Sequence, residues 1–176
     1  STPTLNLTPS DMEISILDQS IIVSGSAYSN VGTYDINTTE AIVVKLDSVG
    51  TFMNFKSLGS SRVDKFTAIT QVPYPGNPLF VLSGQSNTPT GANKLLLSSV
   101  DNNGDFVTIK TYGDNHGNGF FFDQINYDAN HGINAMGTGS GFFVANASEY
   151  QFARMDTSLT LPCKSFTHTL SQNNFN

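Results

Sequence analysis

Short apolar runs alternate with clusters of Asn, Asp, Gly and Ser along the whole chain. The run Leu95–Asp101 is the clearest. It stops at Asn102-Asn103-Gly104 and resumes with Phe106, Val107 and Ile109 on the way to Gly113. Asn and Gly tolerate the positive φ of a tight hairpin, so the stretch predicts strand, turn, strand. Ala41–Asp47, the turn Ser48-Val49-Gly50 and Thr51–Gly59 read the same way. Further strands are predicted at Met12–Leu17, Ile21–Gly25, Phe66–Thr70, Leu79–Gly84, Phe120–Ile125, Ile133–Gly137, Tyr150–Asp156 and Leu159–Phe166. No window sustains a 3.6-residue apolar period with helix caps, so helix is expected to be nearly absent.

The offsets between these strands are regular. Asp47, Asp101 and Asp156 lie 54 and 55 residues apart. Gly50 and Gly104 each follow their Asp by three residues, Lys56 and Lys110 by nine, and Gly59 and Gly113 by twelve. Gly25, Gly84 and Gly137 each close the strand before. The third copy departs from the pattern: Leu159 stands where the turn Gly is expected, and Lys164 falls one place early. A period of about 50 residues with four strands per copy predicts a repeat architecture, with copies near 11–63, 64–117 and 118–176. Ser1–Ser10, with Pro3 and Pro9 and alternating Leu5 and Leu7, reads as an extended N-terminal arm. Such an arm is loose or lies along a sheet edge, its own or a neighbour's.

Val-x-Ser-Gly, then Ile-Val-Val-Lys-Leu-Asp-x-x-Gly, then Phe-Lys-x-x-Gly, then Asp-x-Phe-x-x-Ile resembles the β-propeller repeats of secreted and surface proteins of bacteria. The resemblance covers about Asp11 to Thr167. It implies four-stranded blades and extracellular scaffold or binding roles, and the family carries no fixed catalytic residues. The expected fold is therefore all-β, with three four-stranded antiparallel repeats forming an incomplete β-propeller-like array. A propeller closes with roughly four to eight blades, so three leave open edges. A β-trefoil, whose twelve strands close by themselves, and a β-sandwich are the alternatives.

Composition narrows the setting. Hydrophobic residues make up 38% and include 13 Phe, enough for a core, so the low charged fraction of 12% does not mark a disordered chain. A net charge of −6 argues against nucleic acid and against adhesion to anionic lipid. No apolar run approaches the roughly 18 residues of a membrane helix, so no membrane insertion is expected. The Ser/Thr/Asn-rich, Lys-poor character points to an extracellular or cell-surface location. The chain starts at Ser1 without a visible leader, which suggests a removed leader or an excised piece of a longer chain. Cys163 is the single cysteine, so no intrachain disulfide forms, and its apolar setting suits a buried filler.

Candidate chemistry is sparse. Asp101, Asn103 and Asp105 place oxygens at alternate positions, as a hard cation prefers, but the Gly is misplaced and no downstream Glu completes a calcium loop. They are weak metal candidates beside the plainer reading of a hairpin turn. Two His-bearing loops, Asp114–Gly119 and Asp128–Gly132, lack zinc-ligand spacing and read as surface loops. Gly137-Thr138-Gly139-Ser140-Gly141 reads as a loop. No nucleophile elbow, HExxH, P-loop or CxxC occurs, so no catalytic residue and no cofactor is nominated. Sequons at Asn6, Asn37 and Asn146 permit glycosylation in a eukaryotic secretory route. The six Tyr among polar residues could stack on sugar rings.

The expected function is a non-enzymatic extracellular structural or assembly module, in the manner of a surface filament or layer. Its partners would be copies of itself or other surface proteins, held by edge strands or by the N-terminal arm. A carbohydrate-binding module is the second expectation, with glycans as partners. A piece of a larger secreted enzyme is the third.

Overall fold

The computed structural model describes residues 5–29, 39–59, 63–74, 78–87, 93–113, 120–130, 132–140, 148–161 and 171–174. Every regular element among them is a strand. Sheet 1 holds β1 (Leu5–Ile14), β2 (Ile21–Ser29), β3 (Glu40–Leu46) and β4 (Phe52–Gly59). Sheet 2 holds β5 (Asp64–Val72), β6 (Leu79–Asn87), β7 (Asn93–Val100) and β8 (Phe106–Tyr112). Sheet 3 holds β9 (Phe120–Asp128), β10 (Gly132–Ser140) and β11 (Ser148–Met155). A last strand, β12 (Ser171–Asn174), pairs antiparallel with β4 and so joins sheet 1. Within each sheet, successive strands pair antiparallel in chain order.

Among the described residues no sheet closes into a barrel. A β-trefoil needs strands of all three repeats in one shared barrel, whereas here β1–β4, β5–β8 and β9–β11 form separate sheets and only β12 of the third repeat crosses to another. Sheet 2 lies between the other two, with β5 against β1 and β2 on one side and β9 on the other.

Some boundaries differ from expectation. The first strand begins at Leu5, so residues 5–10 of the expected arm run along β2. Ile16 and Leu17 fall in the turn that follows β1. Gly137–Ser140, read as loop, belong to β10. Their lack of apolar side chains hid a strand that pairs through its backbone with β9 and β11. Of the expected strand Leu159–Phe166, residues 159–161 are not strand and the rest lie outside the described residues.

Alternation gives each sheet two faces. Ile22, Ala41, Val43 and Leu58 of sheet 1 pack on Phe66, Ile69, Phe80, Leu82, Leu96 and Val100 of sheet 2. On the other side, Ala68, Val81, Leu95, Leu97 and Tyr112 of sheet 2 pack on Phe122, Ile125, Ile133, Ala135 and Met155 of sheet 3. Each interface thus joins the outgoing face of one repeat to the incoming face of the next. Both faces of β6 and β7 are buried, which explains their apolar runs Leu79–Leu82 and Leu95–Leu97.

The repeated glycines have one cause. The first strand of every repeat carries a bulge, at Ser10, Thr67 and Asp123, and the partner beside the bulge is Gly25, Gly84 or Gly137. A Cβ on Gly84 would collide with the Lys65 carbonyl and lie 2.7 Å from Phe66 Cα; one on Gly25 would lie 2.9 Å from Pro9 Cα. The kinked backbone needs a partner without a side chain.

Candidate functional site

The hairpin turns come first, because they hold the metal candidates and meet the neighbouring sheets. In the first, Asp47 Oδ1 accepts from Val49 N (3.0 Å) and Thr51 N (2.7 Å). In the second, Asp101 Oδ1 accepts from Asn103 N (2.8 Å) and Asp105 N (3.0 Å). In the third, Asp156 Oδ1 accepts from Ser158 N (3.0 Å) and Thr160 N (3.2 Å). The carboxylate is the turn's internal brace. The Thr51 N–H is the strongest influence holding the Asp47 carboxyl below its ordinary range; for Asp156 it is the Ser158 hydroxyl.

The third turn has therefore not decayed. Leu159 N donates to Asp156 O at 3.0 Å, as Gly50 and Gly104 do to their Asp. Leu159 takes φ 58°, beside 85° and 81° for the two glycines. Its side chain is fully buried in the core between sheets 2 and 3. Left-handed backbone costs about 1–2 kcal/mol for a non-glycine residue, and burying a leucine returns more than that. An uncommon ordering of variants is expected: Leu159→Ala keeps the strain and loses the packing, so it is less stable than Leu159→Gly, and both are less stable than the wild type. Chemical denaturation of the three proteins checks this.

Each of the metal candidates already has a partner within the protein. Asp101 braces its own turn. Asn103 is exposed and its carbonyl accepts from Asn54 Nδ2 at 2.7 Å. The Asp105 carboxylate pairs with Lys56 at 2.9 Å. Among the described residues no group of three His, Cys, Asp or Glu is placed to hold a metal ion. Asn6 lies in β1 opposite Tyr28; Asn37, Asn146, Cys163, Lys164, His116, His131 and His168 lie outside the described residues. The four Tyr whose side chains are described differ in setting. Tyr112 is buried and donates its hydroxyl to the Leu159 carbonyl, Tyr127 is half-buried, and Tyr28 and Tyr74 are exposed.

The repeated lysines span adjacent sheets. Lys56 reaches Asp105, and Lys110 Nζ donates to Thr160 Oγ1 at 3.2 Å. Each lysine lies nine residues after its turn Asp, and each partner lies four after the next one. Exposed pairs of this kind are worth up to about 1 kcal/mol each, so they mark register more than they hold the fold.

A buried polar cluster joins sheets 1 and 2, and sequence reasoning missed it. Lys45, 4% exposed, donates to Asp18 Oδ2 (3.0 Å) and to the Asn102 carbonyl (2.6 Å). Asn102 Nδ2 donates to Asp18 Oδ2 at 2.9 Å, and Ser15 Oγ donates to Asn102 Oδ1 at 2.6 Å. Ser20 donates to Asp18 Oδ1 from its hydroxyl (2.6 Å) and its N–H (3.1 Å). Burial alone would raise the Asp18 carboxyl; Ser20, Lys45 and Asn102 together hold it well below the usual carboxylate range. The clue in the sequence was Lys45 itself, a charge inside the apolar run Ala41–Leu46.

The outer faces of the array differ from its interior. Four residues before each turn Asp stands an outgoing side chain: Val43 and Leu97 are fully buried, whereas Phe152 is 72% exposed. Five residues after each Asp stands an incoming one: Leu161 is buried and Phe106 half-buried, whereas Phe52 is 62% exposed. On sheet 1 the middle of the incoming face, Ala27, Ile42, Val44 and Phe55, is a buried cluster of its own. The row beside the turns is more open, with Ile14 and Phe52 exposed at its two ends and Ile21 and Leu46 half-buried between them. A cleft of about 420 Å³ opens on the outgoing face of sheet 3, lined by Asp11, Asp123, Gln124, Asn134, Met136 and Phe152 among others. Asp11 is already engaged there, with Oδ2 accepting from Ile69 N at 3.0 Å.

No protein-family model matches this chain, and no curated protein matches it.

Proposed function

We propose that this chain is a non-enzymatic structural module of an extracellular or cell-surface assembly, built from β-propeller-like repeats of the secreted bacterial kind. The observation that carries the reading is the contrast between interior and ends. Phe106, Leu161, Val43 and Leu97 are covered by a neighbouring repeat, while Phe52 and Phe152, at equivalent positions on the two ends, face solvent. Large apolar side chains clustered in the open mark interaction surfaces. Residues 5–10 already pair with β2 of their own chain, so the sheet faces are the favoured route to assembly rather than strand donation by the arm. The outer edge of β4 carries β12, which leaves less unpaired backbone there for edge-to-edge joining. Negative-stain electron microscopy of the purified chain tests the reading: rings, filaments or sheets are expected, and a uniform field of isolated small particles would count against it.

A second reading, carbohydrate binding, is favoured by the cleft on sheet 3. Asp123, Gln124, Asn126 and Asn134 beside an exposed Phe152 offer hydroxyl partners and an aromatic ring. Binding on a glycan array, lost in Phe152→Ala, would support it; silence across the array would remove it.

A further inference from the structure

The exposed patches on these two end faces are halves of one interface. We infer that the outgoing face of sheet 3 in one copy of the chain seats on the incoming face of sheet 1 in a second copy, continuing head to tail the stacking that already runs from sheet 1 to sheet 3. This rests on the assembly reading above and names the contact that performs it.

The argument comes from the internal repeat. Between sheets 1 and 2, outgoing Val43 packs in one core with incoming Val100, and Phe106 packs against it. Between sheets 2 and 3, outgoing Leu97 packs in one core with Met155 and Leu161. Counted from the turn Asp, those incoming positions in sheet 1 are Leu46 and Phe52, and the outgoing one in sheet 3 is Phe152. Leu46 is half-buried, and both Phe side chains stand in solvent. Met136, also exposed, extends the tail patch beside Phe152, its pairing partner across the sheet. Ile14 extends the head patch, in register through Ile21 and Leu46 with Phe52.

The polar contact between sheets 1 and 2 has a counterpart at the two ends, although Ser99 holds the equivalent position in sheet 2. Lys45 donates to the carbonyl one residue after the next turn Asp, that of Asn102. Arg154 occupies the Lys45 position in sheet 3, and the matching carbonyl in a second copy is that of Ser48, on an exposed turn. A head-to-tail contact closes into a ring where the rotation permits and otherwise runs on as a filament. Two chains would bring six repeats together, within the roughly four to eight blades of closed propellers.

The test uses the intact chain, Phe52→Asp and Phe152→Asp, each alone and the two variants mixed in equal amounts, measured by light scattering. Both side chains face solvent, so neither substitution removes core packing, and circular dichroism melting verifies the fold. If either variant loses its melting transition, Ile14→Asp or Met136→Asp replaces it on the same face. The intact chain is expected at a multiple of 18.9 kDa and each variant alone at 18.9 kDa. The mixture recovers a two-chain species, because Phe52→Asp keeps a sound tail and Phe152→Asp a sound head. Assembly that survives both substitutions overturns this contact and leaves the assembly reading standing. Dissociation of one variant but not the other points to joining of like faces and overturns the head-to-tail arrangement, as does failure of two dissociated variants to recombine. An intact chain that stays at 18.9 kDa at every concentration overturns both.

Discussion

Gly84→Ala is expected to destabilise the protein by about 3–5 kcal/mol, at the upper end of single substitutions. That corresponds to a fall in melting temperature of roughly 10 °C or more for a chain of this length. The added Cβ meets the carbonyl of Lys65 and the Cα of Phe66, both main chain, so no flexible side chain can move aside. Relief would require straightening the bulge at Thr67. That bulge places Thr67 Oγ1 2.7 Å from the Phe122 carbonyl, and Ser83 Oγ donates to the same oxygen at 3.1 Å. Straightening it would therefore loosen sheet 2 from sheet 3 as well. Gly50→Ala is the comparison. Gly50 has φ 85° but no atom within 4 Å of the added Cβ, so it loses only the left-handed preference, about 1 kcal/mol. Thermal melts of the two variants check the pair; similar losses would mean that the bulge is not the reason for the glycine.

The second large effect is at the cluster between sheets 1 and 2. Asp18→Ala leaves the Lys45 ammonium buried with one carbonyl partner, and a loss of about 3 kcal/mol or more follows. Lys45→Met places an apolar side chain of similar length in the same space. It leaves Asp18, which is partly exposed, able to take up water, so its cost is smaller. The double variant is expected to be less damaged than the sum of the two, because the orphaned charge is gone. Acid acts on the same group. Asp18, Asp47 and Asp156 all have carboxyls lowered in the folded state. Their contribution is complete above the unfolded carboxyl value of about 4 and drains away as pH falls below it. Denaturant titrations at descending pH should show this decline, and Asp18→Asn should flatten it. An unchanged slope in that variant would remove Asp18 from the account.

These effects show which parts of the fold were legible in the sequence. The spacing of Asp47, Asp101 and Asp156 revealed the repeat, because a turn braced by its own carboxylate must recur wherever the hairpin does. Gly25, Gly84 and Gly137 were visible as punctuation, but their cause, a bulge on the paired strand, depends on a partner some 15 residues away. Leu159 looked like loss of the turn because its core contacts come from another repeat. β12 was illegible: Ser171-Gln172-Asn173-Asn174 has no apolar pattern, and its strand character comes from backbone pairing with β4. The polar cluster was hidden for a related reason. Asp18, Lys45 and Asn102 stand far apart in the chain and meet only when sheets 1 and 2 stack. The candidate site was least legible, since Phe52 and Phe152 look like ordinary strand residues until burial separates them from Phe106 and Leu97.

The most direct test of the account is the molar mass of the intact chain in solution, measured by multi-angle light scattering over a concentration series. The exposed apolar patches at the two ends predict a mass that rises from 18.9 kDa to a multiple of it. A mass fixed at 18.9 kDa up to the solubility limit would contradict assembly through the repeats.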